Sequence, residues 1–237
     1  MKVVLLRVGV DMGAGGTDGP LFEDGSFEFI PIPDGWPVDE RTYGNTRGRH
    51  GSPLVEYFPE SKRQFMARQP MHVDPEFDTY TYGDPTRPKA QLKTLTAGDI
   101  LAFYAGLKGY DFQAEPALYL VGYFEVAVAG KATDFSNEQL QDLFGQNFHV
   151  RHPDVFADQR DRLVLVKGSE ESRLLKKARR ISTRGQDKAG KPLKVLSEEM
   201  REVFGSFSGQ GSIQRSPPRW VAEGFTERAA DFLRSLE

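Results

Sequence analysis

Two apolar runs in the middle of the chain limit its fold more than any other feature. Ile100-Leu101-Ala102-Phe103-Tyr104 is the first, and Leu118-Tyr119-Leu120-Val121-Gly122-Tyr123-Phe124-Glu125-Val126-Ala127-Val128 is the second and longer. Both are rich in β-branched and aromatic side chains, which suit a pleated, half-buried surface, and a polar connection over residues 106–116 separates them. Arg162-Leu163-Val164-Leu165-Val166-Lys167 reads as another strand, and Val3 to Leu6 as a short buried one. Ser136-Asn137-Glu138-Gln139 offers a capping box ahead of Leu140, Leu143 and Phe144, and further helices are predicted over residues 169–179, 197–204 and 226–236. In the last of these Phe225, Ala229, Phe232, Leu233 and Leu236 fall on one face at helical spacing. Strands first, then helices concentrated in the C-terminal third, predict an α+β fold with a mixed or antiparallel sheet, partial closure into a barrel being the alternative form. At 237 residues the chain reads as a single domain over residues 1–237.

The N-terminal strand leads into Gly9-Val10-Asp11-Met12-Gly13-Ala14-Gly15-Gly16-Thr17-Asp18-Gly19-Pro20, a glycine-dense polar stretch with no hydrophobic period. Such a loop accepts positive φ values and lets backbone amides approach a ligand. It matches no phosphate fingerprint, because the Gly-x-Gly-x-x-Gly spacing is absent and no Gly-Lys-Ser/Thr closes it. Its place between two core-like segments predicts that Arg7, Asp11 and Asp18 lie near one another, with Gly15 and Gly16 as ligand-contacting positions. A long hairpin connection is the plainer reading. Glu23-Asp24-Gly25-Ser26 signals a turn, and Phe27, Phe29 and Ile32 begin a second strand that Pro31 and Pro33 push to an edge.

The absence of cysteine excludes disulfides, thiolate nucleophiles and cysteine-ligated zinc, and a cytoplasmic location is expected. The amino terminus enters a strand without the pattern of a leader, and no segment approaches the roughly 18 apolar residues of a membrane span, so no membrane partner is expected. The net charge of −3 hides a polarised distribution. Residues 173–194 hold nine bases against one acid, Asp187, a formal +8, which leaves −11 on the rest. Arg173, Lys176, Lys177, Arg179, Arg180 and Arg184 are therefore expected to meet nucleic-acid phosphates, where neutralisation releases counterions. A solvated helix followed by a lysine-rich loop is the competing reading.

Residues 34–90 are irregular, with a helical period only near residues 53–66. They contain His72-Val73-Asp74, which on a strand would put both side chains on one face, as a metal pair or as a base with its orienting partner. His149 and His152 would share an ion only on a helix, and Pro153 argues against one. No obligatory metal is predicted, and no residue pattern names a cofactor. Arg151 and His152 together offer a fork for phosphate or carboxylate beside a hydrogen-bond donor. In the small-residue loop after Phe204, Gln210 could read both donor and acceptor edges of a base.

Val4-Leu5-Leu6-Arg7-Val8-Gly9-Val10-Asp11, Gly15-Gly16, Pro20-Leu21-Phe22-Glu23-Asp24-Gly25, Ile30-Pro31-Ile32-Pro33, His72-Val73-Asp74-Pro75, Gly98-Asp99-Ile100-Leu101-Ala102-Phe103-Tyr104 and residues 178–182 give the chain a family likeness. It resembles, over most of its length, the third of the nucleotide modification associated domains, found in phages and bacteria. The resemblance implies a role around modified DNA bases or nucleotides and supplies no reaction. DNA or a nucleotide, and other enzymes of a base-modification pathway, become the expected partners. Arg7 stands where an arginine is expected, whereas Val8 replaces the expected lysine, so no role for that lysine carries over. A shorter likeness, over residues 98–128, is to the barrel core of PUA-like modified-base readers, in which aromatic residues enclose a flipped base.

Two functions follow. In the first, an enzyme of a DNA base hypermodification pathway acts on a nucleobase or nucleotide. Arg7 holds an anionic group, Asp11 serves as base or orients the acceptor, and His72 with Asp74 forms an acid–base pair. In the second, a non-enzymatic reader lines its pocket with Tyr104 and Tyr123 and holds phosphates with the basic stretch.

Overall fold

In the computed structural model, which describes residues 1–36, 38–186, 189–207, 213–214 and 217–237, the two central apolar runs become the longest strands. β1 (Val3–Arg7), β2 (Gly19–Leu21) and the short β3 (Ile32–Pro33) precede helix α1 (Glu60–Met66), β4 (Met71–His72) and β5 (Thr81–Asp84). The long strands are β6 (Ile100–Gly109) and β7 (Ala117–Lys131). Next come α2 (Asn137–Phe144), α3 (Phe148–Arg151) and α4 (Pro153–Gln159), then β8 (Val164–Gly168), β9 (Arg173–Arg180), β10 (Ser182–Gln186) and β11 (Pro192–Leu196). Helix α5 (Glu198–Phe204), β12 (Arg219–Trp220) and α6 (Thr226–Arg234) complete the chain.

β6 and β7 are antiparallel neighbours, and each divides its far side between two shorter partners. β6 takes β1 along residues 100–104 and β2 along residues 107–109, both parallel. β7 takes β9 along residues 119–123 and β8 along residues 126–131, both antiparallel. With β12 beyond β1 and β5 beyond β8, the main order is β12-β1-β6-β7-β8-β5. The sheet is mixed and open, so the fold is α+β without barrel closure among the described residues. Phe103, Tyr104, Tyr123 and Phe124 are fully buried on this spine, and Met200 and Phe204 of α5 join Ala229 and Leu233 of α6 in the same core. Gly122 marks where the loop after β4 crosses the sheet: a Cβ there would lie 2.5 Å from Cε1 of Phe77 and 2.7 Å from the Arg173 carbonyl.

Several expectations are corrected. β1 is not one arm of a hairpin. Arg7 lies opposite Tyr104 and Gly19 opposite Leu107, so twelve residues of chain advance the strand line by three positions. The glycine-dense segment is an excursion thrown out from one edge of β6. The strand expected from Phe27 shrinks to a single bridge with Leu21 and the two-residue β3, where prolines remove donors. Residues 173–180, expected to be helical, form β9. Their leucines and basic residues favour helix locally, but pairing with the edge of β7 left open by β8 prevails. Residues 148–151 are helical despite Pro153, because that proline occupies the first turn of the next helix, α4, where a missing N–H is harmless. α5 and α6 lie in the C-terminal third, whereas α1 to α4 precede it, so the expected concentration of helices is loose.

Candidate functional site

β4, β5 and α3 bring three polar side chains together from distant parts of the chain. His72 ends β4, and Asp74 follows it, with its N–H donating to the His72 carbonyl at 3.1 Å. His149 stands on α3, whose first turn is capped by Asn147: its Oδ1 accepts from the His149 N–H at 3.1 Å. Nitrogen and oxygen atoms of His72, Asp74 and His149 all lie within 4.8 Å of one another. Gly83 on β5 makes the approach possible. Its N–H donates to Asp74 Oδ2 at 2.8 Å, and a Cβ on it would come 2.7 Å from Cδ2 of His149.

The electrostatics of this cluster are unusual. Asp74 Oδ2 lies 3.3 Å from His149 Nε2, without the alignment of a hydrogen bond. Among the described residues Asp74 Oδ1 has no hydrogen-bond partner. Burial pushes the Asp74 acid up to about 6. Burial also works against a charged His149, but the Asp74 carboxylate 3.3 Å away and the contact with Gln159 together raise its imidazole above the ordinary value. Burial and the neighbouring His149 push His72 down to about 3, so that ring is neutral. Gln159 Oε1 accepts from His149 Nδ1 at 2.6 Å, which directs Nε2 at the carboxylate.

His72 and Asp74 line a cleft of about 290 Å³ that also includes Arg7, Asp11, Gly13, Ile32, Tyr82 and Asp84. Arg7, the last residue of β1, reaches Asp11 Oδ2 at 2.8 Å and the Gln214 carbonyl. Asp11 Oδ1 accepts from the amides of Gly13 and Ala14, both at 2.7 Å, and its carbonyl accepts from Gly16. The amides expected to cradle a ligand are thus turned inward on Asp11. Both Asp11 oxygens are engaged, which makes Asp11 the residue that sets the loop and Arg7. Gly15 and Gly16 take positive φ values of 91° and 70° and face Val10 and Lys62, away from the cleft lining. Asp18 is buried, with its carboxylate 3.9 Å from Lys194 Nζ. With Arg7, Asp11 and Lys194 it lines a second recess on the other side of the Arg7–Asp11 pair. Also on the cleft lining, Asp84 is served by Lys89 at 2.6 Å, the Thr86 amide at 2.7 Å and the Tyr82 hydroxyl at 3.1 Å.

Other expected site residues are engaged elsewhere. Arg151 and His152 turn toward Asp39 and do not line the cleft. Tyr104 and Tyr123 are core residues. The Tyr104 hydroxyl donates to the Ile213 carbonyl at 2.9 Å, burial raises it to about 12, and Arg173 covers the Tyr123 ring at 5.6 Å. Gln210 lies outside the described residues. On the basic stretch Arg179 pairs with Glu199 and Arg184 with Glu115, while Arg180 Nε donates to the Ser182 carbonyl. Lys176 and Lys177 are exposed on β9. A larger recess of about 550 Å³ beside β9 holds no buried carboxylate or imidazole. Sequence reasoning missed His149 as the partner of Asp74, together with Gln159 and Gly83. Its only signal was the proline that follows α3, whose position at the start of α4 permits both helices.

Fold and site define an α+β chain with a narrow polar cleft whose charged groups are largely withdrawn from water. The family model of nucleotide modification associated domain 3 matches residues 2–234, and the chain belongs to that family. No curated protein matches it. Among solved structures, the human THYN1 protein in complex with 5-methylcytosine-containing DNA is similar at 12% identity, over 99% of this chain and 96% of that one. The TM-score is 0.29, too low for that structure to inform this site. No helix among the described residues is long and apolar enough to cross a membrane.

Proposed function

We propose that this chain is an enzyme acting on a nucleobase or nucleotide in a DNA base-modification pathway. The observation that carries the reading is the shared cleft. Arg7 stands on its wall as an anion anchor, and Asp74, whose Oδ1 has no hydrogen-bond partner among the described residues, stands with His72 as the reacting end. A volume of about 290 Å³ lies near the lower end of ligand sites, roughly 300 to 1,000 Å³, and suits a base or a small nucleotide fragment. Arg7 holds an anionic group by charge-assisted hydrogen bonds, as its planar fork allows. Asp11 keeps the guanidinium in place and does not take the proton. The cluster of His72, Asp74 and His149 supplies the polar chemistry at the base. Membership in a nucleotide modification family supports the substrate class.

The burial of Tyr104 and Tyr123 weighs against the reader, since neither ring offers a face on which a flipped base could stack. Exposed Lys176 and Lys177 support contact with a nucleic-acid backbone. The test is mass spectrometry of nucleosides from the native host's DNA, comparing the wild-type gene with a deletion and with Asp74→Asn. Loss of one nucleoside, or build-up of a precursor, in both altered strains is expected. An unchanged profile in the deletion would overturn the reading.

A further inference from the structure

The geometry points to a binding site for one first-row divalent transition-metal ion, held by His72, Asp74 and His149. Three observations converge on it. First, the donor atoms lie within 4.8 Å of one another, and the Asp74–His149 edge is 3.3 Å. Two donors each about 2.1 Å from a tetrahedral ion sit roughly 3.4 Å apart, so that edge already has the span of a chelating pair. Second, among the described residues the buried Asp74 Oδ1 and His149 Nε2 have no hydrogen-bond partner, and neither His72 ring nitrogen makes a hydrogen bond. Third, the outer contacts orient the donors. Gln159 Oε1 takes the Nδ1 proton of His149 at 2.6 Å and leaves the Nε2 lone pair facing the carboxylate, while the Gly83 amide holds Asp74 Oδ2 at 2.8 Å.

A lone pair on Nε2 and an ionised carboxylate at this distance repel unless something positive lies between them. A shared proton would relieve that one edge only. It would leave Asp74 Oδ1 and the His72 nitrogens unused, and the 3.3 Å contact lacks hydrogen-bond alignment. A cation uses all three side chains. Two imidazoles and one carboxylate, with no thiolate in the chain, suit zinc, iron(II), manganese(II) or cobalt(II) and not the oxygen-seeking magnesium or calcium. Three protein ligands leave coordination positions for water or a substrate atom, as in catalytic rather than structural sites. This site shares the cleft of the proposed enzyme but does not depend on turnover.

The test uses the full chain without a histidine tag, stripped with chelator and then titrated with Co²⁺, Zn²⁺, Mn²⁺ and, anaerobically, Fe²⁺. Visible absorption reads Co²⁺ geometry, and elemental analysis reads stoichiometry. One ion per chain is expected, with a raised melting temperature and no comparable response to Mg²⁺. Asp74→Asn, close in shape to the wild type, should weaken binding at least about 100-fold, and Gln159→Met about 10- to 100-fold through the lost orientation of His149. Circular dichroism confirms that each variant is folded. A folded wild-type chain that binds none of the four ions saturably at about 100 µM, far above ordinary site affinities, would overturn the proposal. Affinity unchanged in both Asp74→Asn and His72→Gln would do the same. Loss of function in Asp74→Asn without metal binding by the wild type would leave the enzyme reading in place and remove the ion from it.

Discussion

Asp39 and Asp74 expose 7% and 8% of their surface, yet the protein treats the two carboxylates in opposite ways. Asp39 is met by Arg41 through its amide at 2.9 Å and its guanidinium at 3.1 Å, by Arg151, and by His152 at 3.8 Å. Burial alone would raise its acid, but the Arg41 hydrogen bonds and the Arg41 and Arg151 charges hold it below the ordinary range. Asp74 receives one backbone amide and a misaligned imidazole, and burial wins. A carboxylate surrounded by arginines is structural: it ties the loop after β3 to α3. A buried carboxylate with no fixed cation is held at a folding disadvantage, a pattern that recurs where a ligand or a proton is to be accommodated.

The sharpest way to break this contrast is to neutralise each acid in turn. Asp74→Asn is expected to reduce turnover or nucleoside formation by about 100-fold or more. The same change should leave the metal-stripped fold more stable at neutral pH. The Asp74 acid rises from 3.8 to about 6 on folding, so its ionisation opposes folding as pH climbs past 3.8, and that opposition is complete above about 6. A gain on the order of 1–2 kcal/mol at pH 7.5, absent at pH 3.5, is expected in urea melts, since His149 recovers part of the burden in the wild type. A loss of stability at pH 7.5 would mean that Asp74 is structural, like Asp39.

Asp39→Asn should do the reverse, with stability falling by about 2–3 kcal/mol at pH 7 because two partly buried arginines lose their counter-charge. Asp39 is held below 3.8 in the folded state, so its contribution is present above that value and fades as pH falls through the lower folded one. The gap between wild type and variant should therefore narrow in acid. Chemistry in the cleft should be little changed in the protein that remains folded.

Gly83→Ala tests whether the cluster depends on close approach. The new methyl would meet Cδ2 of His149 at 2.7 Å and Oδ1 of Asn147 at 2.9 Å, both in a packed interior. A cost of about 1–3 kcal/mol is expected as α3 moves off β5, with metal affinity and function falling together. Unchanged metal affinity would show that His149 tolerates displacement and is no ligand.

How much of this was legible in the sequence follows the range of the interactions. The strands β6, β7 and β8 and the helices α2, α5 and α6 were readable because periodicity and caps are local. β9 was not, because its strand state comes from the open edge of β7 and contradicts its own helix preference. The pairing of β1 with β6 across residues 8–99 hid the nature of the glycine-dense excursion. In the site, Arg7, Asp11, His72 and Asp74 were marked by residue type and spacing. The partner that completes the cluster, His149, arrives from a separate helix, and Arg151 and His152 beside it have a different task. No spacing rule distinguishes an arginine that will line the cleft, as Arg7 does, from one that will meet Asp39, as Arg151 does.

The smallest expected effect separates the two duties assigned to the glycine-dense excursion. In Asp11→Asn one oxygen remains to accept from Gly13 and Ala14, so the loop should hold and stability should change by less than about 1 kcal/mol, as for a partly exposed pair. The second oxygen becomes an amide nitrogen that meets Arg7 donor to donor, and the guanidinium must turn. If Arg7 anchors the substrate and Asp11 only places it, the Michaelis constant should rise about 3- to 10-fold with kcat nearly unchanged, because the lost interaction is the same in ground and transition states. If Asp11 itself took a proton, kcat would collapse and KM would hold. Steady-state kinetics on the precursor that accumulates in the pathway test tell these apart, and a kcat-only defect would move the reacting end of the cleft from Asp74 to Asp11.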